Sequence, residues 1–322
     1  MDTGPRAEAA LVFPAISPSS FGDVGKFMLM HPAARRLVAE ADDALGYSLV
    51  DRFRASDGEY TEPARVAFLV NCLAMAGWAE SALDADPVAC AGPSFGGTPA
   101  AVHSGALGFA DAVRLTAAAG RHIEEYFQRE HRGIVTQSFA RTPPEALAEV
   151  LSDLDEQGAW YDVSCYVDHD FYMLSVHEET LGRLTERLRR VGGLPLAVMR
   201  PPMHSSAFGS LRDSLEREVF AGVEFRDPSL PVVSDHDGRP LLSGAELRTL
   251  LLDAAVRPVR WPGVMEALKG LGVGRLYVCG PDNLWGRVRC ATDRFDVVSL
   301  RPELAMRPRT RRTPARASRA GR

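Results

Sequence analysis

The sequence predicts an α/β protein with two parts: a large subdomain built on a short parallel sheet, and a small inserted subdomain of the ferredoxin-like type. Two observations carry this prediction. Short apolar runs alternate with longer helical stretches through most of the 322 residues, as in α/β proteins. Residues 133–199 break this rhythm with the order strand, helix, strand, strand, helix, strand, which is the ferredoxin-like unit.

The large subdomain begins with a buried-type strand at Ala10–Phe13, which ends at Pro14. An amphipathic helix follows from about Gly25 to Leu45. The stretch Ala64–Ala82 is apolar nearly all round, as expected of a helix in the middle of a large core. Val88–Ala91 predicts a second short strand. Helical sequence resumes from Thr98 to about Arg129, with one break at Gly105–Gly108.

The inserted unit has six predicted elements. They are strands at Gly133–Phe139, Ala159–Val167, Asp170–Val176 and Leu194–Met199, and helices at Pro143–Glu156 and Glu178–Val191. The large-domain pattern then returns with helices at Ser243–Ala255 and Pro262–Gly270 and a strand at Arg275–Cys279. We therefore predict a large subdomain at 1–131 and 200–300, a small subdomain at 132–199, and a disordered basic tail at 301–322.

Composition excludes several classes of protein. Hydrophobic residues make up 46% and charged residues 25%, which is ordinary for a globular chain and excludes bulk disorder, collagen and coiled coil. The longest apolar run, Val66–Ala79, contains Asn71 and is too short for a bilayer span. Residue 2 is acidic and no basic segment precedes an apolar one, so we expect neither a secretory signal nor a membrane partner.

Cysteine count and charge distribution point to a cytoplasmic protein without metal or nucleic acid. Five cysteines with no C-x-x-C pair predict neither a disulfide framework nor a zinc site. From Arg301 onward there are eight of the 37 basic residues and one of the 42 acidic residues, so the body is more acidic than the net charge of −5 suggests. Because no aromatic residue is interleaved with the tail arginines, we predict a solvated tail and no nucleic-acid partner.

The motif Gly92-x-Ser94-x-Gly96 stands between a predicted strand and a predicted helix. This is the context of a nucleophile elbow, in which small neighbours let a strained serine protrude toward backbone N–H donors. A tight turn whose serine only caps the helix is the simpler alternative. The context favours Ser94 as a catalytic nucleophile.

A serine nucleophile needs a base. Among the eight histidines, His236 and His169 lie in Asp-His-Asp turns and are expected to be solvated loop residues rather than metal ligands. His204 differs because it follows a strand and two prolines, at the point where the chain re-enters the large subdomain. Loop residues at element ends often deliver catalytic groups, so we favour His204.

Three segments make the chain resemble the malonyl-CoA:acyl-carrier-protein transacylase family over residues 10–292. AGPSFGGTPAAVHSGALGFADAVRL (91–115) is similar to the family's G-H-S-x-G-E motif and the helix after it. PPMHSSAF (201–208) is similar to the segment with the catalytic histidine. PVRWPGVMEALKGLGVGRLYVCGP (258–281) is similar to the family's C-terminal signature. The large subdomain of this family is α/β-hydrolase-like.

The resemblance implies ping-pong acyl transfer through a Ser94 ester, with His204 as general base and then acid. It implies oxyanion donors at the backbone N–H groups of Ile16 and Phe95, and a carbonyl near Ala254 that orients the imidazole. No cofactor is implied beyond the phosphopantetheine of a carrier protein, or coenzyme A, which presents the acyl group. The partner is an acyl carrier protein, and the basic helix face of Arg183, Arg187 and Arg190 is a candidate docking surface, unless it is merely a solvated face.

Departures from the family pattern concern the cargo. The family places an arginine for the malonyl carboxylate where this chain has Ala119, and Arg121 is no substitute because residues two apart on a helix do not share a face. Loss of such a charge-assisted contact disfavours a carboxylate by about 1.5–3 kcal/mol. With Gly97, Met203 and Ala254, position 119 defines a predicted acyl pocket that is roomy and uncharged.

The sequence therefore predicts an acyltransferase of polyketide biosynthesis for a non-malonyl cargo, such as an aminoacyl or peptidyl group, of the kind found in macrolactam pathways. Four alternatives stay open: an editing hydrolase that clears carrier thioesters, a malonyl transacylase whose carboxylate-binding arginine is relocated, a non-catalytic carrier-binding protein, and an unrelated ester hydrolase. Retention of both Ser94 and His204 argues against the third. No acid stands at an evident strand end between them, which argues against the fourth.

Overall fold

The computed structural model describes residues 8–56, 58, 60–130 and 133–307. It confirms the α/β class, and its strands form two sheets. Within these residues the strands are β1 (Glu8–Val12), β2 (Pro87–Ala91), β3 (Ile134–Ala140), β4 (Tyr161–Asp168), β5 (Phe171–His177), β6 (Leu194–Met199), β7 (Val232–Val233), β8 (Pro240–Leu241), β9 (Val259–Arg260), β10 (Val273–Cys279) and β11 (Asp296–Leu300).

Helices pack against both sheets. They are α1 (Phe21–Met30), α2 (Pro32–Leu45), α3 (Leu49–Ala55), α4 (Glu62–Leu83), α5 (Gly97–His103), α6 (Phe109–Arg129), α7 (Pro144–Glu156), α8 (Leu181–Arg190), α9 (Gly209–Glu218), α10 (Gly244–Asp253), α11 (Trp261–Gly270), α12 (Arg289–Thr292) and α13 (Pro302–Ala305).

The large sheet has the strand order β11-β10-β1-β2-β7-β8, and all neighbours are parallel except β7 and β8. The carboxyl ends of parallel strands meet at one edge, where α/β proteins place their ligands. Because β2 and β7 are adjacent, the residues that follow Ala91 and Val233 lie side by side at that edge.

Helix α4 is the centre of the larger hydrophobic core. Twelve of its 22 residues are buried, including Phe68 and Met75, which explains why its sequence is apolar nearly all round. It is longer than the apolar run seen in the sequence, and by length and composition alone it could cross a membrane. Its most apolar window is 61% buried inside the protein, as in the core helix of a globular domain.

The small subdomain has the ferredoxin-like order β6-β3-β5-β4, with antiparallel pairs throughout. Its elements run from Ile134 to Met199, inside the predicted limits of 132 and 199. A fifth strand, β9, joins β4 in parallel and belongs to the large subdomain. The segment just before β9 is therefore held against both subdomains.

Several elements differ from their prediction. The helix expected at 25–45 is two helices, because Pro32 cannot donate a helical hydrogen bond and forces His31 into an extended conformation. Disorder was expected from Arg301, but Pro302–Ala305 forms a short helix with Pro302 buried. Residues 308–322 lie outside the described residues. The two-residue strands β7–β9, the edge strand β11 and helix α9 carry too little periodicity to be predicted.

Candidate active site

Ser94 lies in a sharp turn between β2 and α5, as predicted for a nucleophile elbow. Its φ of 53° is in the left-handed region, which is strained for a residue with a side chain. Two glycines make the turn possible. A Cβ at Gly92 would lie 2.2 Å from the Gly96 carbonyl oxygen, and a Cβ at Gly96 would lie 2.1 Å from that of Phe13.

His204 meets Ser94 from the loop that returns from the small subdomain. Its Nε2 atom lies 2.8 Å from Ser94 Oγ, a hydrogen-bond distance. Its Nδ1 atom lies 3.1 Å from a backbone carbonyl oxygen, which belongs to Arg257 and not to Ala254, three residues earlier. The predicted carbonyl near Ala254 is thus found three residues later, in the segment that leads from the end of α10 at Asp253 to β9.

The protonation state of His204 suits a general base. The side chain is buried, and burial lowers its pKa to about 4. The charge that nearby His236 would carry lowers it further, whereas the Arg257 carbonyl opposes the change. The imidazole is therefore neutral near pH 7, with Nδ1–H donated to Arg257 and Nε2 free to accept the Ser94 proton.

The small subdomain helps to hold the loop that carries His204. Asp162 on β4 accepts hydrogen bonds from the hydroxyls of Ser205 and Ser206 and from the Ser206 N–H, each at 2.9 Å. The Ser205 N–H in turn donates to the Ala255 carbonyl at 3.2 Å. Sequence reasoning missed Asp162, because it lies 43 residues from Ser205 on a strand with no motif.

The two histidines expected in solvated turns behave differently. His236 is only 3% exposed, so its predicted solvation is wrong; its Nδ1 atom lies 3.1 Å from the Pro258 carbonyl oxygen. Its neighbour Asp235 is equally buried and accepts a hydrogen bond from the Ser94 N–H at 2.7 Å. His169 lies in the turn between β4 and β5, as predicted, and is exposed.

The two proposed oxyanion donors come from segments that touch each other. Gly96 packs against the carbonyls of Phe13 and Pro14, so the loop after β1, which carries Ile16, lies beside the elbow, which carries Phe95. Oxyanion roles for the N–H groups of Ile16 and Phe95 remain predictions. Phe95 also packs edge-on against Phe68 of α4, with ring centroids 5.8 Å apart.

A cavity of about 720 Å³ extends from α4 and α6 to the segment before His204. One stripe of α6, at positions 120, 123, 124, 127 and 128, faces it with helical spacing. The complete lining is Tyr60, Thr61, Arg65, Gly120, Ile123, Glu124, Phe127, Gln128, Ile134, Arg200, Pro201 and Pro202.

The four residues of the predicted acyl pocket do not line this cavity. Ala119 and Met203 pack against the larger hydrophobic core. The space at Gly97 is taken by Leu251, whose Cδ2 would lie 3.0 Å from an added Cβ. Ala254 is half-buried at the end of α10. The acyl pocket was predicted mainly from small residues, whereas most residues that line the observed cavity are large or polar.

Comparison with known proteins identifies relatives over about nine-tenths of the chain. A family model described as the VinK acyltransferase small domain matches residues 138–199. The malonyl CoA-acyl carrier protein transacylase of Salmonella typhimurium is 26% identical over 304 residues, covering 92% of this chain and 97% of that protein. The transacylase of Escherichia coli K12 is 27% identical over 314 residues, with the same two shares.

Over about nine-tenths of its length the chain is therefore similar to malonyl CoA-acyl carrier protein transacylases. Solved structures agree in fold. A type II polyketide malonyl-transacylase in complex with its acyl-carrier protein has a TM-score of 0.80 at 24% identity, covering 91% of this chain and 96% of that one. The transacylase of Coxiella burnetii has a TM-score of 0.81 at 23% identity, with 93% and 96% covered. Members of this transacylase family are acyltransferases, and so is this protein.

The resemblance implies an arginine at position 119 for a malonyl carboxylate, and the structure shows a different arginine, Arg65, in the cavity. Ala119 on α6 carries no charge, and Arg121 forms an ion pair with Glu62 on α4. That Arg121 does not replace the arginine expected at position 119 remains a prediction. Arg65 on α4 instead lies against α6: a Cβ at Gly120 would be 3.0 Å from Arg65 Cδ. Its Nε donates to the Tyr60 carbonyl at 2.9 Å, which directs the group toward the beginning of α4.

The arginine face proposed for carrier docking is only partly available. Arg187 is half-buried and forms ion pairs with Glu149 and Asp153 of α7. Arg190 is exposed and pairs with Glu186 on its own helix, and Arg183 is exposed. Carrier docking by these residues remains a prediction, with Arg183 and Arg190 as its accessible members.

Proposed function

We propose that this transacylase-family protein moves a non-malonyl acyl group, aminoacyl or peptidyl in kind, from a thioester donor to an acyl carrier protein in a cytoplasmic polyketide pathway. The cargo passes through a Ser94 ester, with His204 as general base and then acid. The observation that carries the proposal is the cavity, which is lined by the guanidinium-bearing Arg65 and by Gly120, the residue after the uncharged Ala119.

The reaction follows from the contact between Ser94 and His204. Nε2 takes the Oγ proton as Oγ attacks the thioester carbonyl, and the proton then passes to the leaving thiolate. In the second half the carrier thiol gives its proton to Nε2 as its sulfur attacks the carbonyl of the Ser94 ester. The bond from the carbonyl carbon to Oγ then breaks, and Nε2 returns the proton to Oγ. A neutral, buried imidazole performs both steps without a change of conformation.

The position of Arg65 supports a long cargo. Phe68 contacts Phe95 beside the nucleophile, whereas Arg65 is directed to the Tyr60 carbonyl before the first turn of α4. From Glu62 to Phe68 a helix rises about 9 Å. A three-carbon malonyl ester on Ser94 is too short for that span, whereas an aminoacyl or peptidyl chain can bring a carbonyl to the guanidinium.

A second charged group in the cavity, the Glu124 carboxylate, is suited to bind the ammonium group of an aminoacyl or peptidyl cargo. Glu124 lies in the same cavity and interacts electrostatically with Arg65. Burial lowers the pKa of Arg65, and the Glu124 carboxylate opposes that effect. Together they offer a donor for an amide carbonyl and an acceptor for a free ammonium group, the two polar ends of a peptidyl cargo.

The carrier protein is the proposed partner at the exposed face of α8. The structural relative solved with its carrier supports this choice, since its fold covers most of this chain. Charge reversal at Arg183 and Arg190 should slow transfer chiefly at low ionic strength, because exposed charges act on the encounter rate. Reversal at Arg217, exposed on α9, serves as the control.

Loading assays on purified enzyme test the cargo. The enzyme is mixed with malonyl, butyryl, glycyl and alanyl-β-alanyl pantetheine thioesters, and the mass added to Ser94 is read on the intact protein. We expect the dipeptidyl group to load fastest and malonyl at least ~100-fold more slowly, from the loss of about 3 kcal/mol of carboxylate binding. Rapid malonylation would refute the proposal.

A malonyl transacylase with a relocated arginine is the second candidate, and the presence of Arg65 in the cavity is what favours it. Arg65→Met separates the two. Under our proposal it slows dipeptidyl loading and leaves malonyl loading slow; under the alternative it abolishes a fast malonyl reaction. Arg121→Met, which loses only the pair with Glu62, is the matched control. Free acid formed with carrier present, without transfer, would instead indicate the editing hydrolase.

A further inference from the structure

The backbone of His204 is held in a strained conformation. Its φ of 63° is in the left-handed region, as is that of Ser94. Such a conformation is unfavourable for a residue with a side chain and persists only where the surrounding structure enforces it. The contacts that hold the chain beside His204 therefore decide whether its Nε2 atom meets Ser94 Oγ at 2.8 Å.

The contacts just after His204 converge on one carboxylate oxygen. Asp162 Oδ2 accepts the hydroxyls of Ser205 and Ser206 and the Ser206 N–H, each at 2.9 Å. Hydrogen bonds to a carboxylate are stronger than those between neutral groups, and three on one oxygen fix the direction of the chain. Ser205 is fully buried, so loss of Asp162 would leave its hydroxyl without this acceptor in the core.

The register of the small sheet directs Asp162 toward this loop. Asp162 lies opposite Ser175 of β5, which lies opposite Thr136 of β3, so the three polar side chains share one face of the sheet. The neighbours Tyr161 and Val163 point to the other face and pack in the core beneath α7 and α8. The face of Asp162 is therefore the one directed at the large subdomain, where the returning loop passes.

The same strand, β4, also supports the hydrogen-bond partner of the imidazole. It pairs in parallel with β9, where Arg260 lies opposite Tyr166 and places its guanidinium 4.5 Å from the centre of that ring. This pairing begins two residues after Arg257, whose carbonyl oxygen lies 3.1 Å from His204 Nδ1. Strand β4 thus supports both the chain after His204 and the group that its ring contacts.

We propose that Asp162 is a positioning residue for the catalytic base: through Ser205 and Ser206 it holds the left-handed conformation of His204 and, with it, the contact to Ser94. The inference rests on the proposed Ser94–His204 chemistry and not on the identity of the cargo. Asp162 touches no reacting atom, and the proton still moves only between Nε2 and Oγ or a thiol. Loss of Asp162 should therefore displace the base and leave the elbow intact.

Labelling of Ser94 by a fluorophosphonate probe tests the proposal, because the probe reports the nucleophile and its base without any acyl thioester. The labelling rate is measured from about pH 5 to about pH 9 in the full-length protein, a range that spans the usual histidine pKa. Asp162→Ala should lower the rate on the plateau by at least about tenfold, since a misplacement of ~1 Å can cost about 100-fold. Thermal melting of the same samples establishes that the variant is folded.

The pH profile separates positioning from a general loss of structure. Burial lowers the pKa of His204 to about 4, and the charge that His236 would carry lowers it further, so the wild type should label at a constant rate over this range. An imidazole released from its site regains water, and its pKa rises toward the usual value of about 6.5. It is then protonated at the acid end and cannot accept the Oγ proton. Asp162→Ala should therefore show a new fall in rate from about pH 6.5 to about pH 5.

The matched control is Asp168→Ala. Asp168 is a buried carboxylate at the other end of β4, and it accepts the N–H groups of Arg289 and Cys290 at 2.7 and 3.2 Å. These contacts hold α12 and not the His204 loop, so the variant should melt lower and label with the wild-type rate and profile. If folded Asp162→Ala labels at the wild-type rate, or more slowly but with a flat profile, the imidazole is held without the carboxylate and the proposal is wrong.

Ser206→Ala gives an independent measurement if Asp162→Ala does not fold. Ser206 is exposed, so removal of its hydroxyl leaves the core unchanged. The variant loses one of the three hydrogen bonds to Asp162 and should label about fivefold more slowly, the effect of one such bond. Labelling at the wild-type rate would overturn the proposal. Absence of labelling in the wild type would refute the nucleophile and with it the proposed function, whereas a wrong cargo would leave all these results unchanged.

Discussion

Replacement of Gly96 by alanine would place a methyl group in the elbow against backbone atoms, which cannot move aside as a flexible side chain can. The new Cβ would lie 2.1 Å from the Phe13 carbonyl oxygen, 3.0 Å from its carbon and 3.1 Å from the Pro14 carbonyl oxygen. All three atoms are backbone. Real Cβ contacts stay above 3.0 Å, so the elbow and the loop after β1 must separate by about 1 Å.

This displacement should reduce the rate of acyl transfer more than it reduces the stability of the fold. Overpacking of this kind costs about 1–3 kcal/mol, which corresponds to a fall in Tm of roughly 1.5–4.5 °C for a chain of 322 residues. The loop and the elbow carry the proposed oxyanion donors, and a misplacement of ~1 Å or loss of one donor reduces turnover about 100- to 1000-fold. We therefore expect a folded protein with almost no acyl transfer.

The assay is acyl-enzyme formation followed by intact mass, with thermal melting on the same samples. Gly182→Ala in α8 is the control, because an added Cβ there meets open space and alanine favours a helix by up to ~1 kcal/mol. It should melt slightly higher and load at the normal rate. Loading of the Gly96→Ala protein at a rate close to that of wild type would refute the view that this close contact positions the site.

Three further predictions concern stability, the His204 loop and the thiols. The pKa of His204 falls from an unfolded value near 6.5 to about 4, so between these pH values the unfolded chain binds more protons than the folded protein. The free energy of unfolding should therefore fall by ~3 kcal/mol as pH drops through this window. Urea titrations at several pH values should show this dependence in the wild type and not in His204→Asn. Asp162→Ala removes the hydrogen-bond acceptor for Ser205 and Ser206. It should lower kcat by roughly tenfold or more with KM little changed, because the loop that carries His204 is displaced. A loss of substrate affinity as large as the loss of kcat would instead indicate general unfolding. The five cysteine thiols are buried, and burial raises the pKa of Cys90 to about 12. Ellman's reagent should therefore react with no thiol in the native protein and with five in guanidinium. Reaction of even one thiol in the native protein would contradict the structure.

The fold was predictable where the sequence repeats a period. The small subdomain has strands and helices long enough to show periods of about 2 and 3.6. Its six elements lie within two residues of their predicted limits, apart from a short 3-10 turn at Glu178–Thr180 before α8. Strands β7 and β9 are two residues long and have no period. They are the strands that bring Asp235 and the Arg257 carbonyl to the site, so those contacts could not be foreseen.

Candidate catalytic residues were predictable where a local conformation demands particular neighbours. Gly92 and Gly96 reveal the elbow because a side chain at either position would strike backbone. His236 was misjudged for the opposite reason: Asp-His-Asp-Gly is a surface-turn pattern, and only the tertiary approach of Pro258 buries it. Arg65 lies in an apolar helix and gives no local signal of its place in the cavity.

Under the proposed function, the reacting groups and the cavity for the cargo belong to different elements of the protein, and this separation has a consequence for its engineering. The nucleophile, its base and the buried acid are held by β2, β7 and the segment before β9. The cavity is lined by α4, α6 and the link from the small subdomain.

A substitution on the α6 stripe can therefore change which cargo is accepted while the Ser94 conformation and the His204 hydrogen bonds stay intact. Under the proposed function, placing arginine at position 119, next to this stripe, while removing it at 65 should shift selectivity toward malonyl without altering the labelling of Ser94 by a fluorophosphonate probe. A change in labelling would mean that the two functions are coupled through α6 after all.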